Sequence, residues 1–227
     1  MLAFVAAERR EFDGMLGRAE RVTKLDWPLS FARIAWVNGE PIVLVANGPG
    51  PKLAAWAAEI ARKHQELRGL VSTGFCGALH PALEPCDIFV ATEVLGVAHA
   101  LSVPRSHSCE TGKLLSIDRV VSTASEKADL HQTGADAVEM EAAAVAAKAA
   151  EWNLPFFCVR VVTDTAAESF PLDFNRMRDA DGRFSRIKIL TAALRRPGSV
   201  LPGLVKLNKR CKDASQALGD FIVNASF

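Results

Sequence analysis

Along the 227-residue chain, short apolar runs of strand length alternate with stretches whose apolar positions recur at helical spacing. "LAFVAA" near the start reads as a buried strand, and "ERREFDGMLGRAERV" after it as helical. "FARIAWVNGEPIVLVANG" holds two strand-like runs around Asn38-Gly39, a dipeptide that favours a tight hairpin turn. "PKLAAWAAEIARKHQEL" predicts a helix: Pro51 suits its first turn, and Leu53, Trp56, Ala57 and Ile60 fall on one face. "GLVSTG" and "DIFVATEVLGV" predict further strands, followed by a polar loop with Pro104, His107 and Gly112. "AVEMEAAAVAAKAAEW" predicts a helix with Glu139 on its extended lead-in, and "PFFCVRVVTD" the most apolar strand. Two helical segments, "SRIKILTAALRR" and "LPGLVKLNKRCKDASQALGDFI", follow, and no repeat or low-complexity linker interrupts the chain.

This alternation predicts an α/β fold: three layers, with a central mixed, largely parallel sheet flanked by helices. It predicts a single domain, with residues 199–227 as a C-terminal helical extension. Composition agrees, since 49% hydrophobic and 23% charged positions suffice for one sizeable core. A net charge of +1 leaves no electrostatic footprint for nucleic acid, so no such partner is expected. The late basic cluster reads as a solvated helix face. The cysteines, Cys76, Cys86, Cys109, Cys158 and Cys211, are odd in number and lack C-x-x-C spacing. Neither a disulfide framework nor a zinc site is expected, and the thiols read as reduced, in a cytoplasmic protein. "MLAFVAAERREF" lacks the basic and long apolar regions of a secretion signal, and no run approaches the length of a membrane span.

In such folds ligands sit at the carboxyl ends of strands, and four strand ends carry polar or glycine-rich chemistry. Glu8 and Glu11 follow the first strand. Gly48 and Gly50 lie between a strand and a helix, and Gly74 and Gly77 follow another strand. Glycines there let a backbone approach a polar ligand, although "GPGPKLAA" lacks the dinucleotide-binding spacing and a plain structural turn fits it equally. Asp164 ends the most apolar strand; desolvation would raise its pKa and make it a proton donor near neutral pH, while a turn or N-cap role stays open. Arg160, inside that strand, calls for a buried ion pair with a carboxylate. Glu141 falls in the first helical turn, where the macrodipole favours the anion by about 0.3–1 kcal/mol. An ionised carboxylate only accepts hydrogen bonds, which suits a ribose diol as well as ordinary helix stabilisation.

Together these segments resemble the nucleoside phosphorylase and nucleosidase superfamily, which includes methylthioadenosine/S-adenosylhomocysteine nucleosidases and purine nucleoside phosphorylases. "TGFCGAL…DIFVATEV" is similar to its glycine-rich turn and following strand, and "AVEMEAAAVAAKAAEWNLPFFCVRVVTDTA" to its V-E-M-E helix and R-x-(I/V)-S-D-x-A strand end. "NGPGPKLAA" resembles its G-x-G loop and "AAERREF" its N-terminal acidic motif, all in the family's order from Met1 to Ala166. "SFPLDFNRMRDADGRF" and the basic tail resemble the hopanoid-biosynthesis-associated members, whose substrate is adenosylhopane.

The resemblance implies an enzyme that cleaves the N-glycosidic bond of a 5′-substituted adenine nucleoside without a cofactor or metal. It implies Asp164 as the acid that protonates purine N7, with Thr163 where the pattern usually has serine. Glu141 is implied as the holder of the ribose hydroxyls, with Met140 beside the sugar. Glu11 is implied as the water-activating group, with Glu8 the alternative. Gly50, Phe75, Cys76 and Gly77 would line the substrate, while Glu139 would support the turn or meet a cation. Phosphorylases of the group carry a hydroxyl where Phe75 stands and an arginine where Ser72 or Val71 stands, so hydrolysis is expected over phosphorolysis. Methylthioadenosine, S-adenosylhomocysteine and futalosine remain alternative substrates, as do phosphorolysis and a non-catalytic nucleoside-binding role. A homodimer or higher homo-oligomer is expected, and a lipid-linked substrate would add peripheral membrane contact.

Overall fold

The computed structural model describes residues 1–106, 108–170, 172–179, 181–185, 187–188, 191–192 and 197–227. Its centre is a nine-stranded mixed sheet in the order β2-β3-β4-β1-β5-β8-β7-β6-β9. The strands are β1 (Leu2–Ala6), β2 (Arg21–Lys24), β3 (Phe31–Val37), β4 (Glu40–Ala46), β5 (Gly69–Ala78), β6 (Ile88–Val94), β7 (Glu110–Ser116), β8 (Ala137–Glu139) and β9 (Phe156–Asp164). Strand β1 runs parallel to both β4 and β5, and β5 parallel to β9. Because β9 also pairs with β6, the strands β5, β8, β7, β6 and β9 close into a ring. That closure brings the ends of β5, β8 and β9 together.

The sheet's alternation decides its two cores. Ala3, Val5, Val43 and Val45 face α2 (Pro51–His64) and α4 (Ala142–Glu151), while Leu2, Phe4, Ile42 and Leu44 face α1 (Asp13–Leu16) and the C-terminal helix α5 (Pro197–Asn224). The three-layer α/β expectation holds. Asn38 and Gly39 both have positive φ, 52° and 76°, and join β3 to β4 as the dipeptide predicts.

Four expectations need correction. The run "ERREFDGMLGRAERV" is not one helix: a 3₁₀ turn (Arg9–Phe12) leads into the short α1, and Arg21–Lys24 joins the sheet as an exposed edge strand. Gly14, inside α1, lets α5 approach closely, because a Cβ there would lie 2.0 Å from the Ser215 carbonyl oxygen on α5. On α2 the buried face is Ala54, Ala57, Ala58, Ile60 and Ala61, and Trp56 is 47% exposed. Residues Ala137–Glu139 form a strand, and the helix expected there begins at Ala142. Gly112 belongs to β7, so the polar loop after β6 is shorter than expected. His107 and parts of "SRIKILTAALRR" lie outside the described residues. The C-terminal segment is a helix packed in backbone contact against α1 at Gly14 and Gly219.

Candidate active site

Strand β9 carries two buried charged positions, Arg160 and Asp164, and each organises part of the site. The Arg160 side chain is fully buried and held on several sides. Its Nη1 donates to the Thr73 carbonyl at 3.1 Å, and its Nη2 to Ser72 Oγ and to Glu139. Glu141 Oε2 lies 3.6 Å from Nη1. Glu139, at the end of β8, also accepts from the backbone N–H groups of Glu141 (2.8 Å) and Ala142 (3.0 Å). It thereby caps the N-terminus of α4 while pairing with Arg160, so both supporting roles expected for it are present and its oxygens are taken.

Glu141 is the N-cap residue of α4, and its Oε1 accepts the Gly50 N–H at 2.7 Å. Glu11 sits in the 3₁₀ turn after β1; its Oε1 accepts from Phe75 N–H at 2.9 Å and its Oε2 from Glu8 N–H at 2.6 Å. Gly74 makes room for it, with φ of 130° and a hypothetical Cβ only 2.3 Å from Glu11 Oε1 and 3.3 Å from Arg160 Nη1. Two buried carboxylates, Glu139 and Glu141, thus meet one guanidinium, and the buried Glu11 lies close by across Gly74. Burial raises the Glu11 pKa against the pull of the two backbone donors. Burial, then the neighbouring Glu139 charge, pushes Glu141 up to about 8, with Arg160 opposing. Desolvation and like charge thus act against the ionised form of Glu141 that the helix terminus favours.

Glu8 is turned away. It is half-buried and pairs with the Arg10 guanidinium at 2.7 Å. Of the two candidates, Glu11 is the one aimed at the glycine-rich end of β5. Met140 is buried beside these groups in the chain, and Phe75 is half-buried with the Arg10 guanidinium 5.8 Å from its ring centre. Around Gly50, whose φ is 102°, the Asp118–Arg178 ion pair closes in: a Cβ would lie 2.9 Å from both Asp118 Oδ1 and Arg178 Nη2. A cleft of about 400 Å³ opens there between Pro49, Lys52, Asp118, Asn175, Arg178 and Asp179.

Asp164 ends β9 beside Gly77 of β5, across an irregularity that leaves Thr163 as an extra residue. Gly77 leaves room for the acid, since a Cβ there would lie 3.0 Å from Asp164 Oδ2, tighter than an ordinary contact. The Thr163 hydroxyl lies 2.8 Å from Asp164 Oδ1 and 3.2 Å from the Cys76 carbonyl oxygen. Oδ2 accepts from Lys127 Nζ at 2.5 Å. Burial raises the Asp164 pKa, and Lys127 and the Thr163 hydroxyl pull it back. Cys76 is buried and its thiol is pushed far up, so it serves as an inert wall. Lys127 was not legible in the sequence: it lies on α3 (Ala124–His131), a polar helix with weak periodicity, and nothing nearby in sequence marks its partner. Arg160 was legible as an ion pair, but its meeting with both glutamates was not.

A family model described as "Phosphorylase superfamily" matches residues 17–108 and 104–195, most of the chain. Solved structures share the fold across nearly the whole length. The 5′-methylthioadenosine/S-adenosylhomocysteine nucleosidase of Neisseria meningitidis, in complex with methylthio-immucillin-A, superposes with a TM-score of 0.71 at 20% identity, covering 98% of this chain and 96% of that one. The S-adenosylhomocysteine nucleosidase of Streptococcus pyogenes, in complex with 5-methylthiotubericidin, gives 0.71 at 17% identity over 98% and 94%. The 5′-methylthioadenosine/S-adenosylhomocysteine nucleosidase of Campylobacter jejuni gives 0.70 at 17% identity over 98% and 96%. With its family model matched over most of its length and its fold shared end to end with solved nucleosidases, the chain belongs to the phosphorylase superfamily.

Proposed function

We propose that this protein is an enzyme that hydrolyses the N-glycosidic bond of a 5′-substituted adenine nucleoside and releases adenine. The observation that carries the reading is the pair of carboxyl sites joined by β9: Asp164 paired with Lys127 at its end, and Glu141 beside Arg160 at its middle, with Glu11 buried close by at Gly74. Cleavage leaves electrons on the departing purine and positive charge on the ribose. Asp164 would protonate the purine at N7, a contribution of about 10²–10⁴-fold in rate for a positioned acid. Glu141 would accept the two ribose hydroxyls, whose donation favours its ionised form, and Met140 would pack against the sugar. Glu11 would take the proton of the attacking water, and burial, which raises its pKa, makes it a stronger base than an exposed carboxylate. Gly50, Phe75, Cys76 and Gly77 would wall the substrate, and Thr163 would orient the acid.

Hydrolysis is favoured because the Glu11 side carries three buried carboxylates against one guanidinium that is already engaged. A phosphate dianion entering there meets like charge, a phenylalanine ring and a Ser72 hydroxyl already bonded to Arg160. For the 5′ substituent, the "DFNRMRDADGRF" likeness supports adenosylhopane as substrate. A second reading has its own observation: the cleft beside Gly50 is lined by Lys52, Asp118, Arg178 and Asp179, which suits a charged 5′ group such as the amino acid of S-adenosylhomocysteine. Methylthioadenosine stands between them, as the nucleoside named for the Neisseria neighbour. Measuring free adenine from each 5′-substituted adenosine, with and without phosphate, tests all of this. Strict phosphate dependence would overturn hydrolysis, and the preferred 5′ group would separate the substrates.

A further inference from the structure

Lys127 is the buried residue of α3, a helix whose other side chains are exposed or half-exposed. A lysine there gives up the hydration of its charge, a cost that a leucine in the same place would not carry. Its ammonium makes two contacts, with Asp164 Oδ2 at 2.5 Å and the Thr165 carbonyl at 2.6 Å. The Thr165 N–H in turn donates to Glu168 at 3.1 Å, and Glu168 is held by Arg210 and Lys206 of α5. The turn that follows the acid is therefore fixed from two helices.

We infer that Lys127 is a positioning residue for the reaction, which acts through Asp164 by fixing its carboxylate and governing when it carries a proton. The inference rests on the proposed role of Asp164 as the acid. A donor works best when its pKa lies near the working pH, since a carboxyl protonated at every pH is a weak donor. Burial alone would drive Asp164 that way, and the ammonium at its Oδ2 is the first-ranked force against it. The other groups around Asp164 do not replace it. Glu168 pushes in the direction of burial, Arg210 is committed to Glu168, Cys211 of α5 and Cys76 of β5 are buried thiols, and Thr163 is neutral.

The test compares pH profiles of kcat and KM for the wild type, Lys127→Met and Lys127→Arg on an adenine nucleoside that the wild type cleaves. Lys127→Met should fold, keep KM within a few-fold, and move the alkaline limb of kcat upward by about one pH or more, as expected when a charge in contact with a carboxylate is removed. Lys127→Arg should keep the limb near its wild-type position. A uniform loss of rate in Lys127→Met with both limbs unmoved would reduce Lys127 to a structural role and overturn the inference. If Lys127→Met does not fold, the wild type and Asp164→Asn are compared by nitrogen NMR of the Lys127 ammonium. A titration midpoint lowered in Asp164→Asn supports the pair, and an unchanged one overturns it. Absence of base release from every nucleoside by the wild type would instead sink the proposed reaction, and the NMR comparison would still judge the pair.

Discussion

The middle and the end of one strand solve the same problem, a carboxylate without water, in opposite ways. At Asp164 one acid meets one ammonium, Lys127, and charge balances. At Arg160 one guanidinium faces Glu11, Glu139 and Glu141, and acid is in excess. Where charge balances, the acid's protonation is a contest between burial and a single neighbour. Where acid is in excess, like charge adds to burial, and Glu141 is the member pushed up to about 8. The balanced site suits a group that gives a proton to a leaving base. The acid-rich site suits groups that take up hydroxyls and a water, and that favour positive charge on a sugar.

Removing the acid should have the largest effect. Asp164→Asn keeps the shape and should lose about 10²–10⁴-fold in kcat with the fold retained by circular dichroism. Removing the guanidinium should show in stability: Arg160→Met strands the buried Glu139 and Glu141 and should cost about 3–5 kcal/mol in urea unfolding. A third experiment reads the excess acid directly. The folded-state pKa of Glu141 is raised above its unfolded value, so the folded state holds a proton that the unfolded chain has lost. Stability should therefore fall as pH rises from the ordinary carboxylate range to about 8, and Glu141→Gln should flatten that slope by more than about 1 kcal/mol. The same proton should leave when ribose hydroxyls bind. Calorimetry with an uncleavable adenosine analogue in buffers of different ionisation enthalpy should show a fraction of a proton released at neutral pH, and none in Glu141→Gln. The smallest effect belongs to Glu8→Gln, whose exposed pair with Arg10 is worth under about 1 kcal/mol and whose loss should leave turnover within a few-fold.

Much of this was legible because local rules carried it. Asn38-Gly39 announced the hairpin, Pro51 the start of α2, and the apolar run into Asp164 a buried acid at a strand end. The β8 strand was hidden because its three residues run straight into alanines of high helix propensity, and only pairing with β5 and β7 makes it a strand. Trp56 misled through its size: the alanine face of α2 packs closely on the sheet, and the large ring is left outside. The N-terminal helical pattern stopped at Leu16, because Arg21–Lys24 pairs with β3 as an edge strand. In the site, Glu141 and Glu11 could be picked out from sequence, but the sign of the Glu141 shift could not. It depends on Glu139 and Glu11 arriving at the same guanidinium from distant strands, as the Lys127–Asp164 contact depends on helix packing across 37 residues.

The most direct test is quantitation of free adenine from a panel of 5′-substituted adenosines, by the wild type and by Asp164→Asn, with phosphate present and absent. Phosphate-independent adenine release by the wild type, reduced about 10²–10⁴-fold in Asp164→Asn, is the predicted result. Release of no adenine from any member of the panel, or release undiminished in Asp164→Asn, would contradict it.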